Sequence, residues 1–253
     1  MSFIELKDVS LSYPVYGVNA RSIKSSLLNF ATGGIINRKQ GAVSVQALSG
    51  INLRLERGDR LGLVGSNGAG KTSLLKVLAG IYEPTQGSVT VSGRTHCLFD
   101  IMVGLDQALT GYENIMLRGY LFGLSKKEIC EAIPSIEAFT ELGEFIKMPL
   151  KSYSAGMLVR LAFGIITSFP SEILLVDEVM GVGDAQFIKK AQMRMENLVH
   201  RSEIMVLSTH DHSLIKKFCT KVLCLEQGKI KFLWSVKEKL DEHLEFEQIG
   251  LSN

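Results

Sequence analysis

Residues 60–80 read RLGLVGSNGAGKTSLLKVLAG, and this stretch decides the fold. LGLV, 61–64, is a short apolar run of the kind that forms a buried strand. From Lys71 the apolar residues recur at helical spacing until Gly80 stops them. The connection between the two is rich in glycine. Gly65, Ser66, Asn67, Gly68, Ala69, Gly70, Lys71 and Thr72 satisfy every fixed position of G-x-x-x-x-G-K-[ST], in the strand, loop, helix context the motif needs. Gly68 and Gly70 let consecutive backbone N–H groups curl around phosphate oxygens at a helix amino terminus, where unpaired donors and the helix dipole favour negative charge. Lys71 then reaches the β- and γ-phosphates, and the Thr72 hydroxyl, followed on the helix by Ser73, is placed to bind Mg²⁺. The plain alternative is a glycine-rich connection without a ligand, and the full motif in context outweighs it. The loop predicts a nucleoside triphosphate site.

Downstream, ILLVDE (173–178) is an apolar strand that ends in two adjacent carboxylates. Asp177 is the candidate to accept from the metal's water shell. Glu178 is the candidate to orient or deprotonate the attacking water. Read alone, the pair is two acids at an exposed strand end; the phosphate loop upstream gives it meaning.

Around these motifs the chain reads as strand at Phe3 to Ser12 and one or two strands over Val43 to Leu55. Further strands are expected at 88–91, 95–99, 173–176, 204–208, 222–225 and 229–233. Helices are expected from about Asp184 to His200 and from Ser213. A mostly helical block spans Gly111 to Ser168, with Ser125 and Glu128 at capping-box spacing. Short apolar strands alternating with helices imply a parallel sheet covered on both faces, and the helical block reads as an inserted subdomain.

The composition excludes several classes. With 28 Lys plus Arg against 26 Asp plus Glu, the net charge is only +2, far from the basic balance of a dedicated nucleic-acid binder. The four cysteines, Cys97, Cys130, Cys219 and Cys224, have no metal-ligand spacing and read as reduced, mostly core residues. A spanning helix needs roughly 20 apolar residues, and the run from Leu161 to Pro170 is too short and ends at proline. The amino terminus alternates apolar and charged residues and lacks the pattern of a signal peptide. A cytoplasmic protein is expected. One stretch, Pro14 to Leu55, has no acidic residue but carries Arg21, Lys24, Arg38, Lys39 and Arg54, with Ile23, Leu27 and Phe30 on one face of a helix pattern. Part of it, about 14–44, reads as an insertion that either touches a membrane partner or the inner lipid surface, or packs on its own domain.

In this order the motifs resemble the nucleotide-binding ATPase subunits of ABC transporters. After the phosphate loop, Tyr153, Ser154, Ala155, Gly156 and Met157 stand where that family has its signature motif, followed by Arg160 to Phe163 on a helix. Asp184 falls at the D-loop aspartate, His210 at the switch histidine after IMVLST, and Tyr13 where the family stacks a ring on adenine, with Tyr16 as a neighbouring alternative. Alone, Ser154 is an ordinary helix cap and His210 an ordinary residue after a strand. The resemblance implies an α/β P-loop ATPase core with an antiparallel β subdomain and an inserted helical subdomain at about 111–170, the whole of 1–253 forming one ATP-binding domain. It further implies a homodimer with two ATP molecules sandwiched between chains. The signature would face the ATP held by the partner's phosphate loop, while His210 contacts the γ-phosphate within its own chain's site. Opening on hydrolysis would drive an integral-membrane subunit, docked on the helical block, from the cytoplasmic face of the bacterial membrane.

Two positions depart from the family pattern. Asp100 replaces the Q-loop glutamine and could still accept from a metal-bound water, and Met157 replaces the final glutamine of the signature. Together YSAGM, DEVMGVGD (177–184) and LTGYENI (109–115) are similar to the subfamily that exports bacterial surface polysaccharides: Wzt-like O-antigen exporters, capsule exporters and teichoic acid exporters. Members that read a cap on the glycan carry a further carbohydrate-binding domain after the ATPase, for which a chain ending at Asn253 leaves no room. Rival readings are an exporter of a drug, lipid or peptide, or an ABC-type ATPase acting on nucleic acid or ribosomes. Against the last stand the short interval between Lys71 and Asp177 and the single cassette.

Overall fold

The computed structural model describes residues 1–15, 35–39, 42–99, 101–177 and 185–236. They divide between two compact units, one drawn from 1–95, 173–177 and 203–236, the other from 96–172 and 185–202.

The first unit contains two sheets. One is antiparallel, in the order β2-β3-β1-β5, from β1 (Phe3–Val15), β2 (Ile35–Lys39), β3 (Ala42–Glu56) and β5 (Gln86–Ser92). Ile4 and Leu6 of β1 are buried, and so are Val9 and Leu11, so the inward parity changes from even to odd. A strand can do this only by inserting an extra residue. Asp8, with φ 50°, lies at that register shift. Gly87 passes beside it, where a Cβ would come within 2.3 Å of the Asp8 carbonyl oxygen. The expectation of one or two strands over 43–55 resolves into a single strand. Strand β2 arises from the stretch read as an insertion, where Ile35 pairs with Gln46 and Lys39 with Ala42. The helix pattern at Ile23, Leu27 and Phe30 lies outside the described residues.

The second sheet of this unit is built from β4 (Arg60–Val64), β7 (Ile173–Asp177), β8 (Ile204–Ser208), β9 (Lys221–Glu226) and β10 (Lys229–Ser235), in the order β10-β9-β4-β8-β7. The neighbours β9, β4, β8 and β7 are parallel. Their runs are buried almost throughout, as strands covered on both faces must be. Strand β10 returns antiparallel through Gln227 and Gly228, both at positive φ, the geometry of a tight hairpin turn. Helix α1 (Lys71–Leu78) leaves β4 through the glycine-rich loop and buries Leu74, Leu75, Val77 and Leu78. Each such leucine contributes about 1.5–3 kcal/mol. At β6 (Thr95–Cys97) the chain passes into the other unit.

That second unit is helical: α2 (Gly111–Leu121), α3 (Lys126–Thr140), short 3₁₀ turns at Gly143–Lys147 and Leu150–Ser152, α4 (Ala155–Ser168) and α5 (Ala185–Arg201). Its core gathers Ile115, Ile129, Ile136, Leu161, Ile165 and Phe169. The capping box at Ser125 and Glu128 is formed, and a second, at Thr110 and Glu113, starts α2. Glycine permits the close approach of α3 to α4: a Cβ on Gly164 would lie 2.8 Å from Thr140 Cγ2. Burial pushes the thiols of Cys97 and Cys219 up to about 12, which keeps them protonated, while Cys130 is exposed. Helix α6 (His212–Phe218), in the first unit, begins at the N-cap Asp211.

Candidate functional site

The site forms where β4 ends. Gly65, Gly68 and Gly70 adopt φ of 144°, 78° and 107°, values that disfavour a side chain. Two of them also leave no space for one. A Cβ on Gly65 would lie 2.3 Å from the Leu225 carbonyl oxygen, and one on Gly70 2.7 Å from that of Ala47. Gly70 is the N-cap of α1, and without a side-chain cap the first amides of the helix keep their donors for a ligand.

Lys71 is 9% exposed, and its Nζ donates to the carbonyl oxygens of Gly65 at 2.6 Å and Ser66 at 3.0 Å. The ammonium thus lies across the mouth of the loop it belongs to. Thr72 Oγ1 donates to Asp177 Oδ2 at 2.8 Å, joining the start of α1 to the end of β7. Adjacent ligands of an octahedral Mg²⁺ stand about 2.9 Å apart, because each Mg–O distance is about 2.05 Å and the angle between them is a right angle. The two oxygens therefore have the spacing of one edge of such a shell. No cluster of three or more His, Cys, Asp or Glu suited to a metal exists among the described residues.

A cavity of about 270 Å³ joins the loop to Tyr13, lined by Asn67, Gly68, Gly70, Lys71, Thr72 and Ser73 and by Val45 and Ala47 of β3. The Tyr13 hydroxyl donates to Ser73 Oγ at 3.1 Å, and Tyr82 meets its ring edge-on at 5.5 Å between centroids. Burial raises the Tyr13 pKa, partly offset by the Ser73 hydrogen bond, so the phenol is neutral. Tyr16 lies outside the described residues. Val45 and Ala47 were absent from the sequence reading, since nothing in their own stretch marks them; they reach the cavity because β3 pairs with β1, Val45 opposite Tyr13. Ser66 and Ala69 shape the turn, where the Ala69 amide donates to the Ser66 carbonyl at 3.1 Å. His210 stands two residues beyond Ser208, which pairs with Asp177 across the parallel strands, so it emerges at the same end of the sheet.

In the helical unit Ser154 is the N-cap of α4, its Oγ accepting from the Met157 amide at 3.3 Å. Ser154, Ala155 and Gly156 are exposed. The sequence reading grouped Tyr153 with them, but its side chain is in the core and its hydroxyl donates to the Phe145 carbonyl at 2.7 Å. Met157 packs partly against the same core. Asp100, Glu178 and Asp184 lie outside the described residues.

A phosphate loop between a buried parallel strand and a helix, with a carboxylate at the end of a second strand, defines a P-loop nucleotide-binding protein. The ABC transporter family model matches residues 48–181. The O-antigen export system ATP-binding protein RfbE of Yersinia enterocolitica is 43% identical over 231 residues, covering 91% of this chain and 97% of that protein. The teichoic acids export ATP-binding protein TagH of Bacillus anthracis is 38% identical over 200 residues, 79% of this chain but 36% of its own length. Among solved structures, an ATP-binding subunit of an ABC transporter superposes with a TM-score of 0.72 at 20% identity, covering 98% of both chains. The chain belongs to the ABC transporter family.

Proposed function

We propose that the chain is the ATP-hydrolysing subunit of an exporter that moves a lipid-linked surface polysaccharide, of O-antigen, capsule or teichoic acid type, through an integral-membrane partner. The observation that carries the ATPase reading is the Thr72 to Asp177 hydrogen bond beside a lysine folded over its own glycine loop. The glycan reading rests on the resemblance to RfbE over nearly its whole length.

In this reading the loop amides and Lys71 hold the β- and γ-phosphates, and Tyr13 with Val45 and Ala47 forms the adenine end of the cavity. Thr72 and Asp177 would hold Mg²⁺, which when bound neutralises charge on the phosphates. Glu178 orients the attacking water, His210 and Asp184 complete the site, and Asp100 stands in for the Q-loop glutamine. Ser154, Ala155 and Gly156 face the ATP of a second copy, so activity needs a homodimer. An exposed Gly156 supports this: among the described residues a Cβ there would meet only Ser154 Oγ, at 4.0 Å, so none of them demands glycine. Among the described residues no helix is long and apolar enough to cross a membrane. The chain then works on the cytoplasmic face through its partner.

The test is genetic and biochemical. Cells lacking the chain should lose their surface polymer, regain it with the wild-type chain and fail to regain it with Lys71→Ala. Polymer retained at the surface without the chain would reject the glycan reading while leaving the ATPase reading intact. Glu178→Gln should accumulate an ATP-bound dimer in size-exclusion chromatography with little hydrolysis, and normal turnover by that variant would remove Glu178 from its role.

A further inference from the structure

Helix α2 carries two buried polar side chains one turn apart, Asn114 at 0% and Arg118 at 6% exposure, and both donate to the connection that leads from Ile101 into the helix. Asn114 holds the near part of it. Its Nδ2 donates to the carbonyl oxygens of Asp106, Leu109 and Thr110, and its Oδ1 accepts from the Asp106 amide at 2.8 Å. Arg118 holds the far part: its Nη1 donates to the Ile101 carbonyl oxygen, and its guanidinium lies 5.7 Å from the centroid of the Phe122 ring.

The two side chains differ in what they cost. A neutral amide with its bonds made is an inexpensive way to fix a loop, whereas a buried guanidinium gives up its hydration and regains it only from a counter-charge or well-placed acceptors. Arg118 makes no ion pair among the described residues, and burial lowers its pKa from the ordinary arginine value. Since Asn114 already fixes residues 106–110, the charge of Arg118 acts at one place, the carbonyl of Ile101. Ile101 is held from its other side as well, where its side chain packs against Phe139, Phe163 and Phe187. With the side chain seated and the carbonyl gripped, both the position of this residue and the plane of the peptide after it are set. The residue before it is Asp100, whose Cα stands about 3.8 Å from that of Ile101 across the peptide bond.

We propose that Arg118 is a positioning residue for ATP hydrolysis: by gripping the Ile101 carbonyl it fixes the backbone from which Asp100 extends. This rests on the reading of Asp100 as the residue that accepts from the metal-bound water. Turnover is sensitive to such a support, since a misplacement of about 1 Å can cost a hundredfold in rate. Binding of ATP is not, because the phosphate loop and Lys71 belong to the other unit.

The experiment is a double-mutant cycle on the full chain, in which phosphate release gives kcat and the KM for ATP for wild type, Arg118→Met, Asp100→Ala and the pair. Arg118→Met should lower kcat about tenfold and leave the KM for ATP within about twofold of wild type. In the Asp100→Ala background the same substitution should change kcat by less than about twofold, because no carboxylate is left to place. An equal fall in both backgrounds is what a merely structural arginine would give, and it overturns the proposal while leaving the role of Asp100 intact. So does a wild-type kcat for Arg118→Met. Wild-type turnover by Asp100→Ala instead removes the reading of Asp100, and the proposal with it. The same cycle run with Arg118→Lys, which keeps the charge without the guanidinium, gives the same comparison should Arg118→Met not fold, with a smaller fall in kcat that again depends on Asp100.

Discussion

Substituting Gly156 by alanine separates two roles that the amino terminus of α4 plays at once. Gly156 is the second residue of the helix, and a Cβ built there meets nothing among the described residues closer than Ser154 Oγ at 4.0 Å. Alanine in a helix is favoured over glycine by about 0.5–1 kcal/mol, because glycine loses more backbone freedom on folding. Judged within the chain, Gly156→Ala is therefore stabilising by about that amount, which for a protein of this size raises the melting temperature by about 1–4 °C. Gly164, two turns on in the same helix, has the opposite expectation. Its Cβ would meet Thr140 Cγ2 at 2.8 Å and Phe139 Cδ1 at 3.2 Å, so Gly164→Ala forces α3 and α4 apart and costs about 1–3 kcal/mol. The function works against the first gain. If the bare backbone of Ser154 to Gly156 approaches a phosphate on a second chain, a methyl group at Gly156 enters that contact, and kcat for ATP hydrolysis falls at least tenfold, or about 1.4 kcal/mol. Urea unfolding followed by circular dichroism reads the stability, and phosphate release at saturating ATP reads the rate. A Gly156→Ala chain that is more stable and hydrolyses ATP at the wild-type rate would refute the close approach.

Three further outcomes are expected. Thr72→Ala removes one of two protein oxygens spaced 2.8 Å apart and should raise the Mg²⁺ concentration needed for half-maximal hydrolysis about tenfold, measured by metal titration. Tyr13→Ala should weaken ATP binding by about 1–3 kcal/mol through lost stacking, whereas Tyr13→Phe, which loses only the Ser73 hydrogen bond, should cost under about 1 kcal/mol in a fluorescent-nucleotide assay. The Asp211 carboxyl caps α6, and hydrogen bonds from Ser213 hold its pKa below the ordinary 3.8. A depressed carboxylate stabilises the fold above its unfolded value and loses that contribution as pH falls through the folded one. Asp211→Ala should thus be less stable than wild type near neutrality, and the gap in urea midpoint should narrow as the pH drops below 3.8.

Local chemistry determined much of this protein. The phosphate loop is legible because its geometry is written in adjacent residues: glycines at positive φ, a lysine that returns to its own carbonyls and a threonine that follows. The buried strands at 61–64, 173–176 and 204–208 are legible because strands covered on both faces must be apolar without interruption. The capping boxes depend on a spacing of three residues, and the box at Ser125 was read on that basis. What lay beyond the sequence depends on pairing across long separations. Nothing near Val45 and Ala47 marks them as cavity residues; the register of β3 on β1 places them beside Tyr13. The burial of Tyr153 follows from tertiary packing, since the same YSAGM string offers its side chain to core or solvent alike. The motif set the chemistry through contacts a few residues apart, while the far wall of the cavity beside it was decided by contacts that only the folded chain can make.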